Sequence, residues 1–484
     1  MPKAVAINDS RLFSKSFQMF LRQKQPWLKN SETASLIQGW LLLNQAQIHI
    51  TASNQILAGQ KLDQIKDLPI LPAGLETDYL LARCNLYNQF NCLEELSEYL
   101  TMLEILGAKA ESPPVRAQCL YYRASMEASG GDYPKASGHY LEALRTQEIR
   151  DDRDFTAEIY NDLGFCSNRM GNGGQAEEYY KISLRLRKDT GNLSGQAESL
   201  NNLGSHFIAQ KQFDQAGPAL LSALQLERSS GDKMGEGYTL LNLGVLAFGR
   251  GQYKKARDLY LRALELRKNI NDILGLGFCY NHLCYLSLIL ETPEQACQNA
   301  RAALDCFARA GDIPGTLQME FLLINALLER DNISEAKARL ESLSRNFQYN
   351  TLPNYRALRL KAQLKMAVAG RDFNSADALW VEYVKINPDY PASKEGLLLQ
   401  GRLLAGENLK DRAGQKYSEA FIKYKSLGEV LEEGITLFYW GSLAPGTKPG
   451  RETLKEAKSI FHDLAAFYWE QKTDELLNLT EVKK

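Results

Sequence analysis

The sequence predicts an all-α solenoid of antiparallel helix pairs, and three periodic series carry that reading. Leu-Gly stands at Leu163-Gly164, Leu203-Gly204 and Leu243-Gly244, with Leu283-Cys284 next in step, so the interval is 40 residues each time. Seven alanines, Ala136, Ala176, Ala216, Ala256, Ala296, Ala336 and Ala376, keep the same interval. So do the short polar residues Asp152, Asn192, Asp232, Asp272 and Asp312. Repetition at a fixed period of this size marks stacked helical or strand units that bury their faces against one another.

The alanines identify one helix of each unit. One turn beyond them stand Tyr140, Tyr180, Leu220, Tyr260, Ala300, Leu340 and Trp380, and one turn further Ala143, Ser183, Ala223, Ala263, Ala303, Leu343 and Tyr383. These spacings share a helical face. A small residue lets a neighbouring helix approach, and the large one a turn away fills the space beside it. The polar series marks the start of the other helix: glycine precedes three of its members (Gly191, Gly231, Gly311), which is the sequence of a helix C-terminus followed by a capping side chain. Turns within the pairs are marked by Gly130-Gly131, Gly171 to Gly174, Gly251, Glu291 to Pro293 and Asp331-Asn332.

Leu-Gly in the first helix with Ala and an aromatic one turn apart in the second resembles the tetratricopeptide repeat family, over roughly Pro114 to Pro388. The repeat here is longer than the family's usual one. It is similar to the long repeats of adaptors rich in Leu-Gly-Asn and of bacterial peptide-sensing regulators. The resemblance implies a right-handed superhelix whose first helices line a concave, ligand-holding surface.

Both ends depart from the period. Residues 1–112 carry helix-spaced apolar residues over Ser10 to Gln23, Ser31 to Gly59, Leu75 to Phe90 and Leu93 to Leu106, and are expected to form an irregular helical cap or a small effector domain. Residues 113–390 hold about seven repeats. Residues 391–484 are expected to form degenerate pairs over Ser393 to Ala405, Arg412 to Leu427 and Val430 to Leu443, with a capping helix over Thr453 to Leu479.

A net charge of -1 offers no field for a phosphate backbone, so nucleic acid is not an expected partner. The first thirty residues are locally basic and read as a solvated tail. Eight cysteines show no CxxC spacing, which predicts buried thiols in a reducing, cytoplasmic setting. The apolar cluster Trp40 to Leu43 is too short for membrane insertion. Five histidines, His49, His139, His206, His282 and His462, lie in different units without metal-ligand spacing. No nucleophile elbow or phosphate loop occurs, and Gly171 to Gly174 lacks the lysine of one. The chain is therefore expected to have no catalytic residues, no metal and no cofactor.

By the resemblance, the concave face takes Asn161, Phe165, Asn168, Arg169, Asn201, Ser205, Tyr238, Val245, Phe278, Asn281, Tyr285, Phe321, Asn325, Lys361 and Lys365, beside Glu158, Glu198, Phe248 and Leu358. Asn161, Asn201 and Asn281 share one repeat position. An amide donates and accepts together, which suits the backbone of an extended peptide, although an inter-helix role is equally open. Tyr238, Phe278, Tyr285 and Phe321 offer anchors for apolar side chains or pack between repeats. Asn325 with Lys361 and Lys365 suits an acidic segment. The expected function is a scaffold or adaptor for a protein or peptide; the alternative is a regulator whose superhelix responds to peptide.

Overall fold

Every repeat glycine makes room for the side chain sixteen residues on. In a computed structural model of the chain, which describes residues 31–51, 55–68, 73–89, 92–110, 112–145, 152–345 and 355–479, a Cβ placed on Gly164, Gly204 or Gly244 meets Tyr180, Leu220 or Tyr260 at 2.7, 2.5 and 2.4 Å. The first helix of a pair thus lies directly on the ring or leucine of the second. Gly244→Ala is expected to cost about 1–3 kcal/mol through overpacking, measured by chemical denaturation. A loss below about 0.5 kcal/mol would mean that Tyr260 swings aside freely.

The described residues form twenty-three α-helices and one short 3-10 helix. They fall into two compact units, residues 1–235 and 236–484. The first holds α1 (Ser31–Thr51), α2 (Gln55–Lys66), α3 (Ala73–Gln89), α4 (Leu93–Ala110), α5 (Pro113–Ser129), α6 (Tyr133–Leu144), α7 (Arg153–Arg169), α8 (Gly173–Thr190), α9 (Leu193–Ala209) and α10 (Phe213–Ser230). The division falls in the first turn of α11 (Lys233–Gly249). The second unit continues with α12 (Tyr253–Asn269), α13 (Ile273–Leu290), α14 (Pro293–Arg309), α15 (Ile313–Glu329), α16 (Ile333–Arg345), α17 (Tyr355–Ala369) and α18 (Phe373–Ile386). It ends with α19 (Lys394–Gly406), α20 (Lys410–Ser426), α21 (Val430–Gly441), α22 (Lys448–Asp463) and α23 (Phe467–Leu479). The expected helix over Ser10 to Gln23 and the basic first thirty residues lie outside the described residues.

All seven periodic alanines are fully buried, and Tyr140, Tyr180, Leu220 and Tyr260 are nearly so. The polar series caps as expected: Asp152, Asn192, Asp232, Asp272 and Asp312 each accept from the backbone N–H three residues on, at 2.8 to 3.0 Å. Gly191, Gly231 and Gly311 precede three of them at φ of +74°, +73° and +70°, the left-handed region that glycine enters without strain. Asn271 fills that place before Asp272.

A further periodic series supports the joint between pairs. Arg187, Glu227, Arg267 and Phe307 close the second helices over Gly195, Gly235, Gly275 and Gly315. Arg267 is fully buried, its Nη1 2.5 Å from Asp272 and its guanidinium 4.1 Å over the Tyr238 ring.

In each unit the first helices of successive pairs touch one another: α3 with α5, α5 with α7, and α7 with α9; then α15 with α17, and α17 with α19. No pair of second helices makes contact of that extent among the described residues, which puts these first helices toward the inner side of their stacks. One apolar core runs from Leu42 to Cys166 and ties α1 to α4 to the repeats that follow.

Three expectations change. The single capping helix over Thr453 to Leu479 is two helices, because Ala465 takes a left-handed φ of 54° between α22 and α23. The pair α19–α20 keeps the repeat packing, with a Cβ on Gly401 meeting the Tyr417 ring at 2.5 Å. Its register has slipped from 40 to 37 residues: Ala376 is followed by Ala413. Finally, α13, not Trp40 to Leu43, is the longest apolar run, and Ile273–Leu290 is long and apolar enough to cross a bilayer. Half of it is buried inside the second unit, and Asn281 and His282 sit at its middle. The eight cysteines are all free and, apart from Cys92, buried. Burial pushes the Cys84 thiol up to about 12.

Candidate functional site

In each repeat the close-packed position, which is Gly164, Gly204 or Gly244 and then Cys284, Ile324 or Leu364, is buried, and the residue after it is left at most half-buried. That position holds Phe165 and Ser205 in the first unit; in the second unit it holds Val245, Tyr285, Asn325 and Lys365, a column in which Lys365 reaches Asn325. The slip to 37 adds Arg402 and Tyr439, which periodic counting at 40 misses.

In the first unit, Phe165 is exposed and packs edge-on to Tyr133, whose ring also lies under Arg169 at 5.4 Å. Arg169 Nε donates to Tyr133 Oη at 3.0 Å. Asn168 pairs with His206 Nδ1 at 3.1 Å. Ser205 is exposed and Asn201 half-buried. Asn161 is buried and already occupied: its amide donates to Glu198 at 2.9 Å and accepts from Asn202 at 3.0 Å. Beside it gather acids whose grouping the sequence did not announce. Tyr121 donates to Glu158 and Tyr140 to Asp162. Desolvation, then neighbouring carboxylates, raise Glu158 to about 7 and Asp162 to about 6. Arg187 answers one charge of this group by pairing with Glu198 at 2.9 Å.

In the second unit the predicted residues divide. Phe278 packs edge-on to Phe307, Phe321 is buried beside Tyr355, and Tyr238 lies under Arg267, so these three hold the stack together. Val245 is half-buried. Asn281 is 8% exposed, and its side-chain oxygen has no partner among the described residues, unlike that of Asn161. Tyr285 is 40% exposed. Lys361 pairs with Glu395 at 2.7 Å and stands 5.3 Å from the Tyr390 ring. Lys365 Nζ donates to Asn325 Oδ1 at 3.3 Å, an amide where a carboxylate would be the stronger acceptor. Desolvation, then the nearby Lys361 charge, push Lys365 down to about 8. Arg402 lies over Tyr439, 4.7 Å from its centroid.

Residues 195–269, which include the Leu203-Gly204 and Leu243-Gly244 repeats, match the family described as Tetratricopeptide repeat. These are tetratricopeptide repeats. No curated protein matches the sequence. Among solved structures, NprR in complex with its cognate peptide NprX is 15% identical, with a TM-score of 0.50 over 72% of this chain and 98% of that one. A Rap protein complexed with Competence and Sporulation Factor is 14% identical, covering 88% and 100% at a TM-score of 0.44. A signal-transduction ATPase with a tetratricopeptide repeat sensor from Pyrococcus horikoshii is 16% identical, covering 80% and 66% at 0.47. The likeness to NprR is one of fold.

Proposed function

We propose that the chain binds an extended protein or peptide segment along the inner face of its second unit, and that the segment presents an apolar residue followed by an acidic one. The observation that carries this is the column itself. Along the stack it changes from Val245 through Tyr285 and Asn325 to Lys365 and Arg402, from apolar to amide to cation. Asn281 holds an enclosed carbonyl without a partner behind this face, and a ligand carboxylate beside Lys365 would restore the ammonium that burial disfavours. That NprR, a protein of this fold, holds a peptide supports the same class of ligand. The role is binding instead of catalysis, in a reducing compartment such as the cytoplasm, where buried free thiols persist.

Pull-down with Asn281→Ala and Tyr285→Ala together is expected to lose partners retained by the wild type, with helical circular dichroism unchanged. Loss of a hydrogen bond and an aromatic anchor weakens such complexes by about 2–4 kcal/mol. Retention of every partner would refute the assignment of this face.

A further inference from the structure

The last helix does not simply end the stack. One side of α23 is fixed to α21 and α22, where Trp469 packs edge-on to Phe438 at 5.6 Å and stacks on Phe461 at 5.8 Å. Its other side reaches α13, a first helix almost two hundred residues earlier in the chain. Tyr468 Oη donates to the main-chain oxygen of Glu329, the last residue of α15, at 3.2 Å. Lys472 Nζ lies 3.8 Å from the Glu329 carboxylate and donates to Tyr468 Oη at 3.2 Å. The attachment to Glu329 is polar and partly wet. The ring contacts of Trp469 with Phe438, Tyr439 and Phe461 anchor α23 on the α21–α22 side.

Glu329 has a second position to account for. It is close enough to influence Lys365, Arg402 and Tyr439, the charged end of the column. With Tyr468 and Lys472 held on Glu329 and Trp469 edge-on to Tyr439 at 6.3 Å, α23 stands against that end of the column, with the chain's own carboxylate beside its cations.

We infer that α23 is an intramolecular latch, closing the cationic end of the second unit's inner face through Tyr468 and Lys472 on Glu329, and that an acidic ligand enters when it is released. This rests on the reading of that face as a binding surface. A hydrogen bond to a neutral oxygen and a long ion pair join α23 to Glu329 beside its contact with α13, while Trp469 keeps the helix tethered to its own neighbours. Release needs no unfolding of the repeats, only rotation of α23 about the Leu464–Ala466 turn.

The test uses the full chain with Tyr468→Phe and Lys472→Ala together, which leaves the Trp469 anchorage in place. The first measurement needs no ligand: the rate at which a hydroxysuccinimide ester acylates Lys365, followed by mass spectrometry. It is expected to rise about tenfold in the variant, with circular dichroism unchanged; an unchanged rate overturns the latch. The second is the affinity for a fluorescent hexaglutamate peptide, expected to rise by a similar factor. Equal affinity for both forms overturns the gating. Faster acylation with no peptide bound by either form upholds the latch and instead refutes the acidic-ligand reading. Trp469→Ala serves as a control: it should lower thermal stability, a loss the double variant does not share.

Discussion

Arg267→Ala is expected to destabilise the second unit by about 3–5 kcal/mol. The guanidinium is fully buried, and its Nη1 neutralises Asp272, whose side chain is only 8% exposed. Asp272 cannot move away, because its other oxygen caps α13 at the Gly275 N–H. Truncation therefore leaves a carboxylate in a dry site, opens a cavity against Gly275 and removes the cation from the Tyr238 ring. Arg267→Met with Asp272→Asn together should return most of the loss, since asparagine still caps and methionine refills the space. Urea denaturation of the single and double variants measures both. A single variant within about 1 kcal/mol of wild type would show that Asp272 finds another partner.

The two units are expected to answer acid in opposite directions. Glu158 and Asp162 have pKa values raised in the folded state, to about 7 and about 6. Folded chain then holds more protons than unfolded chain, so their stabilising contribution is present below the unfolded values and is lost as pH rises through 6 and 7. Between pH 5 and 8 the first unit should weaken by on the order of 2 kcal/mol. Their charged neighbours Glu198 and Arg187 stay nearby throughout. His282, stacked on Tyr260, is depressed to about 4 by desolvation. The unfolded imidazole takes a proton that the folded one refuses, so the second unit weakens as pH falls below about 6.5, by about 2 kcal/mol at pH 5. Hydrogen exchange in α7 and α13, corrected for intrinsic rates, should shift oppositely between pH 5.5 and 8. Glu158→Gln with Asp162→Asn should flatten the first trend and His282→Phe the second. Parallel trends in both units would refute the assignment.

The parts of this molecule legible in the sequence are those whose cause is local. A cap such as Asp272 on Gly275 spans three residues, and the pairing of Gly244 with Tyr260 recurs at one spacing, so period and chemistry announce them together. The break at Ala465 is silent, because Leu464, Ala465 and Ala466 are ordinary helix formers and nothing local in them marks the left-handed turn. Arg402 was hidden by the shortened repeat. Asn161 and Asn281 look alike in sequence, yet the first is consumed by Glu198 and Asn202 while the second keeps a buried carbonyl without a partner. Which neighbour satisfies an amide depends on the next repeat, about forty residues away. The contact of Tyr468 with Glu329 spans 139 residues and belongs to no period at all.

The glycine that rests on a ring and the inward residue beside it are neighbours in sequence with unrelated duties. Gly244 and Val245, or Gly401 and Arg402, differ by one peptide unit, yet one determines how tightly two helices close and the other what chemistry the proposed binding face presents. Holding and recognising can therefore change independently. Exchanging Val245, Tyr285, Asn325, Lys365 or Arg402 for side chains of other charge would compose a new recognition strip on an unaltered frame, which makes the chain a natural starting point for designed receptors of short linear segments.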